Sequence, residues 1–218
     1  MAGDSTDPSR PAHWPASRRD DVPHFSRALM ACVAANINAQ WSKPLGRGSN
    51  LKGTGGHVLY LDFDGTIHHE NCFWHARIGP YLNVPEGKGY VLFQHAELLE
   101  QLLLPYPDVQ IVLSTAWVLR YGQSKTAKFL RPNLRSRVIG ATFHTQMNER
   151  VFEAKPRGLQ VLEDVLRRRP KAWLAIDDND KDWPEEALGQ FVKTHEHDGI
   201  SESVVLEILK HKLSQTFG

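Results

Sequence analysis

An apolar run closes on two carboxylates separated by one residue, in Leu59-Tyr60-Leu61-Asp62-Phe63-Asp64-Gly65-Thr66. Residues 58–61 have the apolar character of a short buried strand, and Gly65 lets the chain turn sharply at its end. If the strand stayed extended, Asp62 and Asp64 would share a face; if the chain curls at Asp64, both can still converge at the strand's carboxyl end. Open α/β sheets bind their ligands at that end. Two acids there suit phosphoryl transfer. One can attack phosphorus as a nucleophile, and the other can give a proton to the leaving oxygen and later take one from water. Anions so close repel each other, so a divalent cation is expected between them. Mg²⁺ fits, because it takes oxygen ligands and is held by one or two carboxylates plus substrate phosphate.

Asp62-Phe63-Asp64-Gly65-Thr66 resembles the first motif of the haloacid dehalogenase (HAD) superfamily, most of whose members are phosphatases. Three further segments follow in the order that resemblance requires. Val109-Gln110-Ile111-Val112-Leu113-Ser114-Thr115 is an apolar run ending in hydroxyls. By itself it also suits a helix N-cap. In the family a hydroxyl there bonds a phosphate oxygen, which implies Ser114, with Thr115 as the neighbouring alternative and Thr66 as a further substrate contact. The family next expects a Lys or Arg that neutralises the nucleophile and the phosphate. Lys155 fits the spacing, with Arg150 and Arg157 as rivals. Trp173-Leu174-Ala175-Ile176-Asp177-Asp178 ends a further apolar run in paired acids. By that match Asp177 and Asp178 join Asp62 and Asp64 around the metal. Asp180 and Asp182 read as loop acids.

Asp64 sorts the chemistry within the resemblance. The family's phosphatases carry an acid there, its ATPases a Thr, and its dehalogenases lack the second Asp. The resemblance therefore implies a Mg²⁺-dependent phosphomonoesterase with Asp62 as nucleophile, Asp64 as acid and base, and Lys155 as the cation. At finer grain, Leu113-Ser114-Thr115-Ala116-Trp117 and Arg137-Val138-Ile139-Gly140-Ala141-Thr142 are similar to a small-cap HAD group found as domains of RNA repair proteins. A basic residue often follows the tryptophan in that group. Here Val118-Leu119 come before Arg120. The expected substrate is a phosphorylated nucleic-acid end or nucleotide. The alternatives are a small-metabolite phosphatase, a phosphotransferase, or a non-catalytic HAD-fold domain that binds phosphate or nucleic acid.

These residues need a scaffold. Apolar runs and amphipathic stretches alternate as strand 58–63, helix 95–104, strand 109–114, helix 123–130, strand 138–142, helix 157–169, strands 172–176 and 190–194, and helix 201–213. That alternation implies an α/β fold, a parallel sheet with helices on both faces. The resemblance makes it Rossmann-like, with sheet order 3-2-1-4-5. The hydrolase domain is expected over 57–218. Its insert at about 67–94 is too short for a large cap and reads as a loop or small flap. His68, His69, Cys72 and His75 lie in it without a strong zinc spacing. His69, Trp74 and Tyr81 are candidate substrate contacts there. Residues 144–150 read as a polar loop.

The 218 residues carry 26 Lys and Arg against 25 Asp and Glu, so bulk charge demands neither nucleic acid nor membrane. Basic residues nevertheless crowd between Arg120 and Lys171, which suits a polyanion and equally suits solvated helix faces. No long apolar span is present. Cys32 and Cys72 have no metal-ligand spacing and fit free thiols in a reducing, cytoplasmic setting. Ser17-Arg18-Arg19 before residues 28–35 has some look of an export signal, but Asp20-Asp21 intervene, the apolar run is short and no clear cleavage site follows. Residues 1–23 read as a disordered tail. Residues 24–56 read as a helix at about 25–41 followed by a Gly- and Ser-rich linker.

Overall fold

Strand β2 (His57–Leu61) is buried along almost its whole length and pairs with a parallel neighbour on each side. The computed structural model that shows this describes residues 12–13, 51–85 and 87–218. The expected tail and the expected helix at 25–41, with Cys32, lie outside the described residues except for 12–13. Beside β2 stand β5 (Val109–Leu113) and β7 (Ala172–Asp177), and outside these β6 (Val138–Ala141) and β8 (Phe191–Lys193). The order β6-β5-β2-β7-β8 is 3-2-1-4-5 counted along the chain, and every pairing is parallel.

Alternation along β2 explains why both sheet faces are covered. Leu59 and Leu61 pack with Leu99, Leu134, Leu209 and Leu213. Those residues come from α1 (Ala96–Leu102), α4 (Pro132–Ser136) and α7 (Ser203–Phe217). Val58 and Tyr60 point the other way, onto Val161, Leu162 and Val165 of α6 (Arg157–Arg168). Strands buried on both faces must be apolar throughout, which is how this one reads. Truncating Leu59 or Leu61 to Ala would cost roughly 2–5 kcal/mol.

One polar network crosses the second core. The Tyr60 hydroxyl donates to Asp164 Oδ2 at 3.0 Å, and Arg168 Nε donates to the same oxygen at 2.7 Å. Arg168 also donates to the Lys52 carbonyl at 2.7 Å, and Arg167 pairs with the other Asp164 oxygen. Asp164 and Arg168 are both buried. Removing one partner would strand a buried charge, a loss of about 3–5 kcal/mol. The network ties α6 to β2, the strand that leads into Asp62.

Between β2 and α1 the chain forms a small flap. Strands β3 (Cys72–His75) and β4 (Gly79–Leu82) make an antiparallel hairpin, and β1 (Ala12–His13) pairs with the outer edge of β3. Short helices α2 (Trp117–Tyr121), α3 (Gln123–Ala127) and α5 (Glu149–Glu153) complete the described fold. Helix α5 begins where the sequence suggested a polar loop, because Asn148 accepts a capping bond from Val151 N. Helix α7 starts and ends later than the sequence suggested. Glu202 caps it through Val205 N, and the buried Phe217 prolongs it by packing on His57 and Tyr106. No helix among the described residues is long and apolar enough to cross a membrane.

Candidate active site

The carboxyl ends of β2, β5 and β7 are held in register one residue past the strands. Asp62 N donates to the Ile176 carbonyl at 3.2 Å, Ser114 N to Leu61 O at 2.8 Å, and Thr194 N to Asp177 O at 3.0 Å. These bonds bring Asp62, Asp177 and Asp178 together. One carboxylate oxygen from each lies within 4.8 Å of the others, and Asp62 and Asp177 are buried. Gly65 makes the approach possible. Its φ is +65°, and a Cβ there would fall within 2.7 Å of Asp178 Cβ.

The cation over this cluster is Arg157, at the start of α6. Its Nε lies 3.1 Å from Asp177 Oδ2 and its Nη2 lies 3.7 Å from Asp62 Oδ1. Gln160 fixes it by accepting from Arg157 Nη1 at 3.1 Å while donating to the Phe152 and Lys155 carbonyls at 3.0 Å each. Gly158 allows close packing beneath it, since a Cβ there would meet the Trp183 ring at 2.9 Å. Lys155 does not reach the acids. Its Nζ donates to both Glu163 oxygens, at 2.8 and 2.7 Å. Arg150 stands exposed on α5.

Burial raises the proton affinity of all three acids, and the Asp177 charge raises that of Asp62 and Asp178 further. Burial and then the Asp177 charge push Asp62 well above the usual carboxylate range, against the pull of Arg157. Asp177 is pushed up to about 6, mainly by burial, and Asp178 to about 8 by burial and then by Asp177. Asp177 Oδ1 accepts from Asn179 N at 2.9 Å, but its buried Oδ2 has no hydrogen bond of good angle. One arginine against three crowded carboxylates is an oxygen-donor set that a hard divalent cation fits.

Asp64 takes another direction. The chain curls immediately after the strand, with Thr66 N and Ile67 N both donating to Phe63 O. The Asp64 carboxylate therefore leaves the other three acids and joins His68 and Cys72 in a separate set. His68 Nε2 lies 2.9 Å from Oδ1, and Trp117 Nε1 donates to both oxygens at 3.1 Å. Neither partner was singled out for this task in the sequence. The available signals were a histidine four residues after Asp64 and a tryptophan just past Ser114-Thr115.

The hydroxyls divide as well. Ser114 Oγ is buried with no hydrogen-bond partner, whereas Thr115 Oγ1 accepts from Trp117 N at 3.4 Å. Thr66 is bonded to Thr194 at 3.1 Å, and Thr194 in turn donates to the Gly65 carbonyl at 2.7 Å. That pair ties the turn after β2 to the end of β8. The four-residue zinc set does not assemble. His69 stacks on His197 at 4.5 Å, and His75 Nδ1 accepts from Arg77 N at 3.2 Å. On the flap, Trp74 lies under the Arg120 guanidinium at 3.5 Å, and Tyr81 packs against Phe73 at 6.1 Å. A surface hollow of about 540 Å³ lined by Glu100, Leu104, Pro107 and Arg137 opens at the amino end of β5, away from these acids.

A parallel sheet of this order with acids at the ends of its first and fourth strands has the architecture of HAD-type hydrolases. Residues 58–205 match the family described as the HAD domain in Swiss Army Knife RNA repair proteins, and the chain belongs to that family. No curated protein and no solved structure matches it.

Proposed function

We propose that this protein is a Mg²⁺-dependent phosphomonoesterase that works through an aspartyl-phosphate on Asp62. The observation that carries the proposal is the convergence of Asp62, Asp177 and Asp178 under Arg157 while Asp64 is held apart by His68 and Trp117. Asp62, Asp177 and Asp178 would hold the Mg²⁺, which when bound supplies positive charge to the phosphoryl oxygens.

The chain's own residues account for the rest of the cycle. An Asp62 oxygen attacks phosphorus in line as the ester P–O bond breaks. Arg157 stabilises the charge that develops on the phosphoryl oxygens, and the free Ser114 hydroxyl donates to one of them. Asp64 gives its proton to the leaving oxygen. Water then attacks the aspartyl-phosphate and loses its proton to Asp64, which frees Asp62 and phosphate. Positioning and electrostatics carry most of such a reaction. The geometry favours Arg157 over Lys155 as the cation, because Lys155 is committed to Glu163.

The substrate class proposed is a phosphorylated RNA end. Its support is the family's description and the basic and aromatic side chains near the flap, Arg120 on Trp74 among them. The test is phosphate release from an aryl phosphate and from a 3′- or 5′-phosphorylated oligonucleotide, with and without Mg²⁺. Release that requires Mg²⁺ and Asp62 is expected. Tight oligonucleotide binding with no phosphate release would instead indicate a binding domain.

A further inference from the structure

We infer that His68 and Trp117 are positioning residues that hold the Asp64 carboxylate ready for proton transfer. The inference rests on the phosphatase assignment above. A residue on a tight turn after a strand has freedom to swing, and Asp64 is 19% exposed. Two donors remove that freedom. His68 Nε2 meets Oδ1 at 2.9 Å, and Trp117 Nε1 straddles the carboxylate with 3.1 Å to each oxygen. A single oxygen contact would leave the carboxylate free to rotate. A donor shared by both oxygens together with a second on one side fixes its plane.

The donors are themselves immobilised. His68 and Trp117 are both fully buried. The His68 ring meets Phe93 edge-on at 4.9 Å and Trp117 at 5.7 Å. Trp117 is further packed by Phe63, Phe93 and Phe129 at 5.0 to 5.6 Å. His68 Nδ1 is buried with no hydrogen-bond partner. The bond to Asp64 is therefore the one hydrogen bond that the His68 ring makes among the described residues. An imidazole buried for packing alone would be better replaced by an apolar side chain. Trp117 also follows directly on the loop that presents Ser114, so one short segment sets both the phosphate-facing hydroxyl and the plane of the acid.

Leaving-group dependence distinguishes this role from simple packing. A nitrophenolate leaves without help, whereas an alkoxide needs a proton as the P–O bond breaks. The experiment compares kcat/KM for nitrophenyl phosphate and benzyl phosphate, a ratio that covers every step through departure of the alcohol. His68→Leu and Trp117→Phe are each expected to lose about 10–100-fold on benzyl phosphate but less than about 3-fold on nitrophenyl phosphate. His68→Gln, which keeps a donor at the Nε2 position, should recover most of the loss. Equal losses on both esters, or none on either, would overturn the inference. Wild-type protein that releases phosphate neither from these esters nor from a phosphorylated oligonucleotide would overturn the phosphatase assignment and this inference with it. The contact has its own readout in the Trp117 indole ¹H–¹⁵N resonance. That resonance should move when Asp64→Ala is made, and a signal indifferent to the change overturns the positioning contact whatever the kinetics.

Discussion

Asp62 and Asp64 are two residues apart, yet they occupy opposite kinds of surroundings. Asp62 is buried among like charges, with Asp177 and Asp178 at its oxygens and a guanidinium as its described counterweight. Asp64 is partly open and is met by an imidazole and an indole N–H, with aromatic rings behind them. The first setting suits a carboxylate that stays ionised under a bound cation and attacks. The second suits one that must gain and lose a proton without moving. One tight turn with Gly65 at φ +65° separates the two. Acids drawn from one motif need not share one electrostatic environment.

The largest test of this contrast is Asp62→Asn. Phosphate release should fall by about 10³-fold or more while the circular dichroism spectrum holds and the metal-free melting temperature does not fall, because neutralising Asp62 removes one charge from the crowded acids. Next is Arg157→Met, expected to lower kcat/KM by about 10²-fold by removing charge stabilisation beside Asp62 and Asp177. Lys155→Met should change it by less than about 5-fold, since an ion pair on the flank of α6 contributes little. Equal effects from the two substitutions would return Lys155 to the cation's place.

A third test uses pH and metal. Asp177 and Asp178 hold their protons to about 6 and about 8 in the folded chain, whereas in the unfolded chain they ionise near the ordinary carboxylate value. The metal-free folded state then binds more protons than the unfolded state between about pH 4 and 8, so its stability falls as pH rises through that window. Melting curves in a chelator should show the decline. Asp178→Asn should flatten its upper part, and saturating Mg²⁺ should raise the melting temperature most at the alkaline end. A metal-free protein that gains stability from pH 5 to 8 would contradict the crowding of these acids. The smallest expected effect is Thr66→Val, which breaks the Thr66–Thr194 bond at a cost of about 1 kcal/mol, read as a modest drop in melting temperature.

The sequence was legible where local pattern and function coincide. Strands buried on both faces appear as unbroken apolar runs, and those at β2, β5 and β7 end in side chains that no core would take without a purpose. The choice between Lys155 and Arg157 was not legible. Both stand at the start of one helix, and the outcome depends on which side chain finds Glu163 and which is steered by Gln160. The Trp117–Asp64 contact spans 53 residues of sequence and depends on the curl after Phe63, which no periodicity announces. The short helix α5 was obscured because a five-residue helix has too few turns to show an amphipathic face.

The Tyr60–Asp164–Arg168 network carries a further consequence. Helix α6 is anchored near its carboxyl end by Arg168 and meets the acids at its amino end through Arg157. The two arginines are eleven positions apart, roughly 16 Å along the axis at 1.5 Å per residue. The helix therefore behaves as a strut whose far foot sets where its near foot lands. Damage to that distant anchor would reach the acid cluster as a misplaced guanidinium. An Arg168 variant screened by turnover alone would be scored as a catalytic lesion, although its cause is architectural.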